Sequence, residues 1–274
     1  MKLVRVYSDC EKAKSACGRL DHLDAHRRIV KDKPVELVTD PQKADYILVI
    51  GGDGTMLRAI HEYYEIGVPF FGLNYGTVGF LMNPPVRKGD DYEDCCGAIY
   101  GAFNDAKKNL KMISLNLLEV KASCVTRQAY HFTKKIYAFN DVYFNAPPGH
   151  SCRFEISGDH YEKKIVVGDG VIIATPQGST AYNRNAGGPI LPLGQEILAV
   201  TSICSSTRPI RDVVNFQPLS VRFSGEQGIV LHAVNIRIDG ADWVEVSPTK
   251  ISVRIAFGRD YNFETKRYNT PEVK

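Results

Sequence analysis

The chain has 274 residues, a formal net charge of +3 and 44% apolar residues. That length admits one large domain or two modest ones, each able to bury a core without staples. The charge is too mild for a nucleic-acid footprint, and no apolar run reaches the ~20 residues of a membrane span. The opening MKLVRVYSDC has no signal-peptide core, so a cytoplasmic protein without nucleic-acid or membrane partners is expected. The cysteines at 10, 17, 95, 96, 124, 152 and 204 make no CxxC pair, which points to reduced thiols rather than zinc or redox chemistry.

In chain order, residues 3–7 predict a short strand. Residues 10–30 place Ala13, Cys17, Leu20, Leu23 and Ile29 near helical spacing. Residues 44–50 are a nearly continuous apolar run, as in a strand buried on both faces of a parallel sheet. Residues 55–66 predict a helix with Met56, Ile60 and Tyr63 or Tyr64 on one face, and 68–73 another strand. Strand, helix, strand predicts a βαβ unit. A further helix is expected within 88–108. Beyond about 111 the texture turns to short, alternating β-stretches at 113–125, 129–145, 152–158, 163–174, 219–223, 229–238 and 251–257. Within that region only Gly194–Ser202 suggests a helix. The boundary is placed near 108–114.

Two glycine loops carry the chemical signal. Gly51-Gly52-Asp53-Gly54-Thr55 joins a buried strand to a helix start. Glycines let phosphate oxygens approach the backbone, and the helix N-terminus supplies amide donors. Thr55 suits the N-cap region. An aspartate inside an anion site would repel phosphate unless it binds metal or takes a proton. Phosphoryl transfer with Asp53 as general base explains the pairing, and a tight turn that Asp53 merely caps is the alternative. Gly168-Asp169-Gly170 opens the second loop. Strand 171–174 then leads into Thr175-Pro176-Gln177-Gly178-Ser179-Thr180-Ala181-Tyr182. Such a segment suits ribose, phosphate and a stacked ring, or is an ordinary β-connection. Asn140-Asp141 interrupts a β-stretch with residues depleted in strands, as a ligand pair or a solvent-facing one.

Together these segments resemble the NAD kinase family. The resemblance rests on GGDGTMLRA (51–59), NYGTVGFLMN (74–83), FNDVYFN (139–145) and GDGVIIATPQGSTAYNRNAGGPILP (168–192), with IDG (238–240) weakly continuing it. It implies α/β plus all-β architecture, with a Rossmann-like N-terminal α/β domain (1–110) and a β-rich domain (111–258). The active site would lie between them, and residues 259–274 would form a tail packing back on the first domain. It also implies that Asp53 takes the proton from the adenosine 2′-hydroxyl of NAD. The donor phosphates, of ATP or polyphosphate, would sit at Gly51, Gly52, Gly54, Thr55 and Arg58. The dinucleotide would meet Gly54, Asn140, Asp141, Asp169, Gln177, Thr180, Ala181, Tyr182 and Asn185. A divalent ion, Mg²⁺ in the first instance, would neutralise phosphate charge, its ligands unassigned. A homodimer or homotetramer is implied. A lipid or sugar kinase of the wider GGDGT superfamily and a non-catalytic NAD(P) sensor are the alternatives.

The chain departs from the family's common pattern at Ala174, Gln177, Asp141, Ala241 and the segment Ala146–His150. Those departures leave NAD against NADH open. His22 and His26, at i, i+4, and the basic residues Arg27, Arg28 and Lys31–Lys33 read as solvated surface. Trp243, the single tryptophan, reads as packing.

Overall fold

The computed structural model describes residues 2–7, 13, 36–83, 87–88, 91–92, 110–125, 131–224, 229–233, 236–258, 261–262 and 267–268. The chain divides into a first unit, residues 1–114 with 253–274, and a second, 115–252.

The first unit is built on a parallel sheet. β1 (Lys2–Tyr7) lies between β2 (Glu36–Leu37) and β3 (Tyr46–Gly51), and β4 (Phe70–Asn74) flanks β3 on its other side. Residues 255 and 256 return to pair in parallel with Phe70 and Phe71. Ile47, Leu48, Val49 and Ile50 are all fully buried, because a strand with neighbours on both edges and cover on both faces has no solvent side. α1 (Asp53–Tyr63) follows β3 and buries Met56, Ala59 and Ile60, the i, i+3, i+4 stripe of a helix lying on a sheet. It starts two residues before the expected position, with Gly52 as N-cap and Thr55 already inside the first turn. Asn83 fastens this sheet. Its buried amide nitrogen lies 2.9 Å from the Gly72 carbonyl and 3.2 Å from that of Ala256, and its oxygen accepts the Gly258 amide at 2.8 Å. The helix expected over 10–30 lies outside the described residues apart from Ala13, as do His22, His26 and the basic cluster. Within 88–108 the described residues form no helix. Arg87–Lys88 and Asp91–Tyr92 pair antiparallel, and the rest lies outside the description.

The second unit is antiparallel. Its strands are β5 (Lys111–Val125), β6 (His131–Ala138), β7 (Asp141–Asn145), β8 (Cys152–Gly158), β9 (Tyr161–Gly168) and β10 (Gly170–Ala174). After the short helix α2 (Tyr182–Asn185) come β11 (Ile197–Ile203), β12 (Arg211–Asn215), β13 (Leu219–Ser224), β14 (Ile229–Ala233) and β15 (Ile236–Phe257). One run is ordered β12-β11-β10-β7-β14-β15, while β8 lies between β9 and β13 and β13 pairs with β15. The core collects Phe144, Phe154, Val171, Ile173, Val200, Val221 and Val244. Phe223 packs on Phe144 and Phe154, with ring centroids 5.5 Å and 6.1 Å apart.

The helix suggested for Gly194–Ser202 is not formed. Ile197–Ile203 is strand β11, held on one edge by β10 and on the other by β12. Two-sided ladder pairing and full burial of Leu198, Ala199 and Val200 outweigh a short helical pattern there. Asn140 and Asp141 do not interrupt a strand. Asn140 is the bend after β6, and Asp141 opens β7.

Candidate functional site

In the first unit the site grows from the end of β3. Gly52 carries the chain into α1, so Asp53 occupies the first helical turn. Its two carboxylate oxygens accept the amides of Phe80, at 2.9 Å, and Leu81, at 3.0 Å. The segment 74–81 that supplies these amides lies directly on the glycine turn. The Tyr75 amide donates to the Gly51 carbonyl at 2.6 Å. A Cβ on Gly76 would stand 2.9 Å from the Gly52 Cα, so the two turns cross backbone on backbone. Asn74 shapes this segment by accepting the Gly76 amide at 2.9 Å. Gly79 has φ +71°, and a Cβ there would lie 2.0 Å from the Asn74 amide nitrogen.

Gly54 is different. A Cβ there would meet nothing within 4 Å, so packing does not require glycine. Its lack of a side chain leaves the N-terminal turn of α1 open. Gly54 and Arg58 are both exposed and share one helix face at i, i+4. An open helix N-terminus with a cation on the same face suits a polyphosphate.

The second unit sorts its motif residues into a frame and an exposed set. Thr175 is 1% exposed, and its hydroxyl lies 2.9 Å and 2.7 Å from the carbonyls of Phe139 and Asn140. Gln177 is 3% exposed, and its amide nitrogen donates to the carbonyls of Asn116 and Phe139, each at 2.9 Å. Gln177, expected at the substrate, therefore stands in the frame. Gly178 is required by contact, since a Cβ there would fall 1.9 Å from the Asn140 carbonyl oxygen. Ser179 and Asn183 are fully buried. The Ser179 hydroxyl donates to Pro176, and the Asn183 amide bridges Ser179, Pro189 and Thr201. By contrast Thr180, Ala181 and Tyr182 are half-buried, and Asn185 is exposed.

Asn140 and Asp141 stand beside this frame. The side-chain oxygen of Asn140 is buried and has no hydrogen-bond partner in the protein. Such an orphaned acceptor is a cost that a ligand donor can relieve. Burial pushes the Asp141 carboxyl up to about 7. Asp169 is exposed, between two glycines, and lines a pocket of about 440 Å³ with Tyr182.

Among the described residues no three His, Cys, Asp or Glu side chains converge on a metal position. No described helix is long and apolar enough to cross a membrane. The segment 74–83 belongs to a quoted motif, but no role for its individual residues is read from the sequence. The Phe80 and Leu81 amides act through backbone, which leaves no residue-type signal. Asn74 and Asn83 had one available signal, as polar residues within an apolar and glycine-rich segment.

Comparison with known proteins follows the same division. The family description "ATP-NAD kinase N-terminal domain" matches residues 9–92, and "ATP-NAD kinase C-terminal domain" matches 139–259. An NAD kinase of Rickettsia typhi is 38% identical over 171 residues, which is 60% of this chain and 58% of that protein. The chain thus spans less than two thirds of that relative's length. An NAD kinase of Rickettsia bellii is 34% identical over 211 residues, 74% of this chain and 69% of that one. Among solved structures, an NAD kinase from Archaeoglobus fulgidus in complex with ATP has a TM-score of 0.71 at 21% identity, covering 97% of this chain and 96% of that one. A yeast NADH kinase complexed with NADH also has a TM-score of 0.71, at 19% identity, covering 94% and 83%. These two likenesses speak to fold.

Proposed function

The chain belongs to the ATP-NAD kinase family, and on that premise we propose that it makes NADP by phosphorylating the adenosine 2′-hydroxyl of NAD. The observation that carries the reading is the setting of Asp53. A carboxylate in the first turn of α1, oriented by two backbone amides, lies beside an open glycine turn. A ribose hydroxyl is a poor nucleophile at neutral pH, and a positioned base contributes about 10²–10⁴-fold.

In the proposed reaction the 2′-oxygen attacks the terminal phosphorus of the donor. The bond from that phosphorus to its bridging oxygen breaks, and the electron pair leaves on the nucleoside diphosphate or the shortened polyphosphate. The 2′-hydroxyl proton passes to Asp53. Gly51, Gly52, Gly54 and Thr55 supply the backbone turn for donor phosphates, with Arg58 on the open helix face. Asn140, Asp141, Asp169, Thr180, Ala181, Tyr182 and Asn185 are assigned to the dinucleotide. Gln177 holds the frame those residues stand on.

In this reading the cation arrives on the donor phosphates, which supply most of its oxygen ligands. When bound, Mg²⁺ would screen the phosphate charge. ATP and polyphosphate remain alternative donors in this reading, and the active species is taken to be a homo-oligomer, which mass measurement in solution tests.

The decisive experiment is a coupled assay that crosses NAD and NADH with ATP and polyphosphate in Mg²⁺. Phosphorylation at the 2′-position is expected. In Asp53→Asn, turnover should vanish while NAD still binds. Full activity in that variant would remove the general-base assignment. Phosphorylation of a lipid or sugar phosphate, with no response to NAD, would remove the reading as a whole.

A further inference from the structure

Asn83 joins backbone segments of the first unit that are far apart in sequence. The parallel ladder between the returning strand and β4 sets Ile255 against Phe70 and Ala256 against Phe71. Beyond it the Asn83 side chain takes the place of a peptide group. Its amide nitrogen donates to the Gly72 and Ala256 carbonyls, and its oxygen accepts the Gly258 amide. The main chain of Asn83 is held as well. Its amide donates to the Gly72 carbonyl at 2.8 Å, and its carbonyl accepts the Asn74 amide at 2.8 Å. Every polar group of this residue thus bonds to backbone, and the residue is 4% exposed. An amide side chain suits the position because it offers donors and an acceptor together.

Those bonds close segment 74–83 on itself, with Asn74 at its start and Asn83 at its end. Met82 is wedged beneath it. A Cβ on Gly72 would stand 2.4 Å from the Met82 sulfur and 2.7 Å from the Met56 methyl. Both methionines are buried, and Met56 belongs to α1, the helix whose first turn bears Asp53. Close packing of this kind transmits small shifts. Two and three residues before Asn83 stand Leu81 and Phe80, whose amides meet the two oxygens of the Asp53 carboxylate. A path of hydrogen bonds and three residues of chain therefore runs from the Gly258 amide through Asn83 to Asp53.

We infer, on the kinase reading above, that Asn83 is a positioning residue for Asp53. It ties the 80–81 amides to the backbone at 256–258, and those amides aim the carboxylate. Asn83 has no part in the surfaces assigned to donor or dinucleotide, so it acts on the chemical step and not on binding. Without the tie the amides shift and the carboxylate leaves its line to the 2′-hydroxyl. A misplacement of about 1 Å in such a group costs about 10²-fold in rate. A buried asparagine that only fastens the sheet lowers stability when removed and leaves kcat per folded molecule unchanged.

The test separates kcat from KM. Asn83→Ala and Asn83→Ser are assayed with NAD and ATP at a temperature where circular dichroism shows each variant folded. Arg254→Ala is assayed beside them. Arg254 lies on the same returning strand, is exposed, and donates to the Gly67 carbonyl at 2.5 Å, a bond that does not involve segment 74–83. In the Asn83 variants kcat should fall about tenfold or more, with both KM values within about threefold of wild type. Arg254→Ala should keep its kcat. Asn83→Ala combined with Gly79→Ala should lose less than the product of the two separate losses, because both act through the same amides. If Asn83→Ala does not fold, Asn83→Ser carries the comparison. An unchanged kcat, a raised KM with kcat intact, or an equal fall of kcat in Arg254→Ala overturns the inference and leaves the kinase reading standing. If the wild type phosphorylates neither NAD nor NADH, the kinase reading falls and the inference with it.

Discussion

The Asp53 carboxylate accepts the Phe80 amide at 2.9 Å, across 27 residues of sequence. With the Leu81 amide on its other oxygen, the proposed base is oriented by a segment that meets it only in the folded chain. Glycine 79 controls that segment.

Gly79→Ala should therefore damage activity more than its half-buried position suggests. Alanine at φ +71° is strained by about 1 kcal/mol. Its Cβ also collides with Asn74, so the turn must shift and carry the 80–81 amides with it. A fall in kcat of tenfold or more is expected, against a loss of stability near 1–2 kcal/mol. Steady-state kinetics beside a denaturant melt reads both. An unchanged kcat would show that the amide clamp does not orient the base.

Gly54→Ala should separate stability from function. Nothing lies within 4 Å of the added methyl, and alanine favours a helix over glycine by about 1 kcal/mol. The melting temperature should rise by a few degrees. The KM for the donor should rise as well, because the methyl enters the open helix turn. A variant both more stable and kinetically unchanged would remove Gly54 from the donor site.

Asp141 predicts a pH dependence whose sign is fixed by its raised pKa. The native carboxyl titrates at about 7, against 3.8 for the unperturbed group. Between those values the folded protein holds a proton that the unfolded chain has released. Stability therefore falls as pH rises from about 4 to 7 and levels off above. Asp141→Asn should match wild type near pH 4 and exceed it at pH 8, by an amount on the order of 1–3 kcal/mol. Melts at the two pH values test this, and an equal difference at both would contradict it.

Gln177→Leu should act as a frame mutation. Removing the amide takes its donor from the half-buried Asn116 carbonyl and leaves the Phe139 carbonyl only the Thr175 hydroxyl, at a cost of about 1–3 kcal/mol. Calorimetry should show lower stability with NAD affinity changed by no more than a few-fold. Lost affinity in a variant as stable as wild type would return Gln177 to the substrate.

Local pattern carried a large part of the fold. The apolar run before Gly51, the helical stripe of Met56 and Ile60, and the strand before Asn74 each lie within a dozen residues, where periodicity and turn chemistry act directly. Local pattern failed at Ile197–Ile203, since LAV is compatible with helix or strand until its neighbours are known. The partner strand β12, Arg211–Asn215, carries no strand pattern in the sequence. It is a short edge strand with a charged start and only one buried side chain, Val214.

Sequence alone determined which chemical groups are present and in what order. Two aspartates sit between glycines, one loop is rich in small hydroxyl residues, and a strand precedes each. Those features depend on φ/ψ freedom and residue type, which are local. Only the tertiary structure decided which of them are framework and which are exposed. Gly178 is glycine because Asn140 presses on it, and Asp53 is oriented by Phe80 and Leu81. Ile255 and Ala256 also pair in parallel with Phe70 and Phe71 of β4. Each of these contacts joins positions roughly 25 to 185 apart, and excluded volume and hydrogen-bond satisfaction between distant segments leave no local signature.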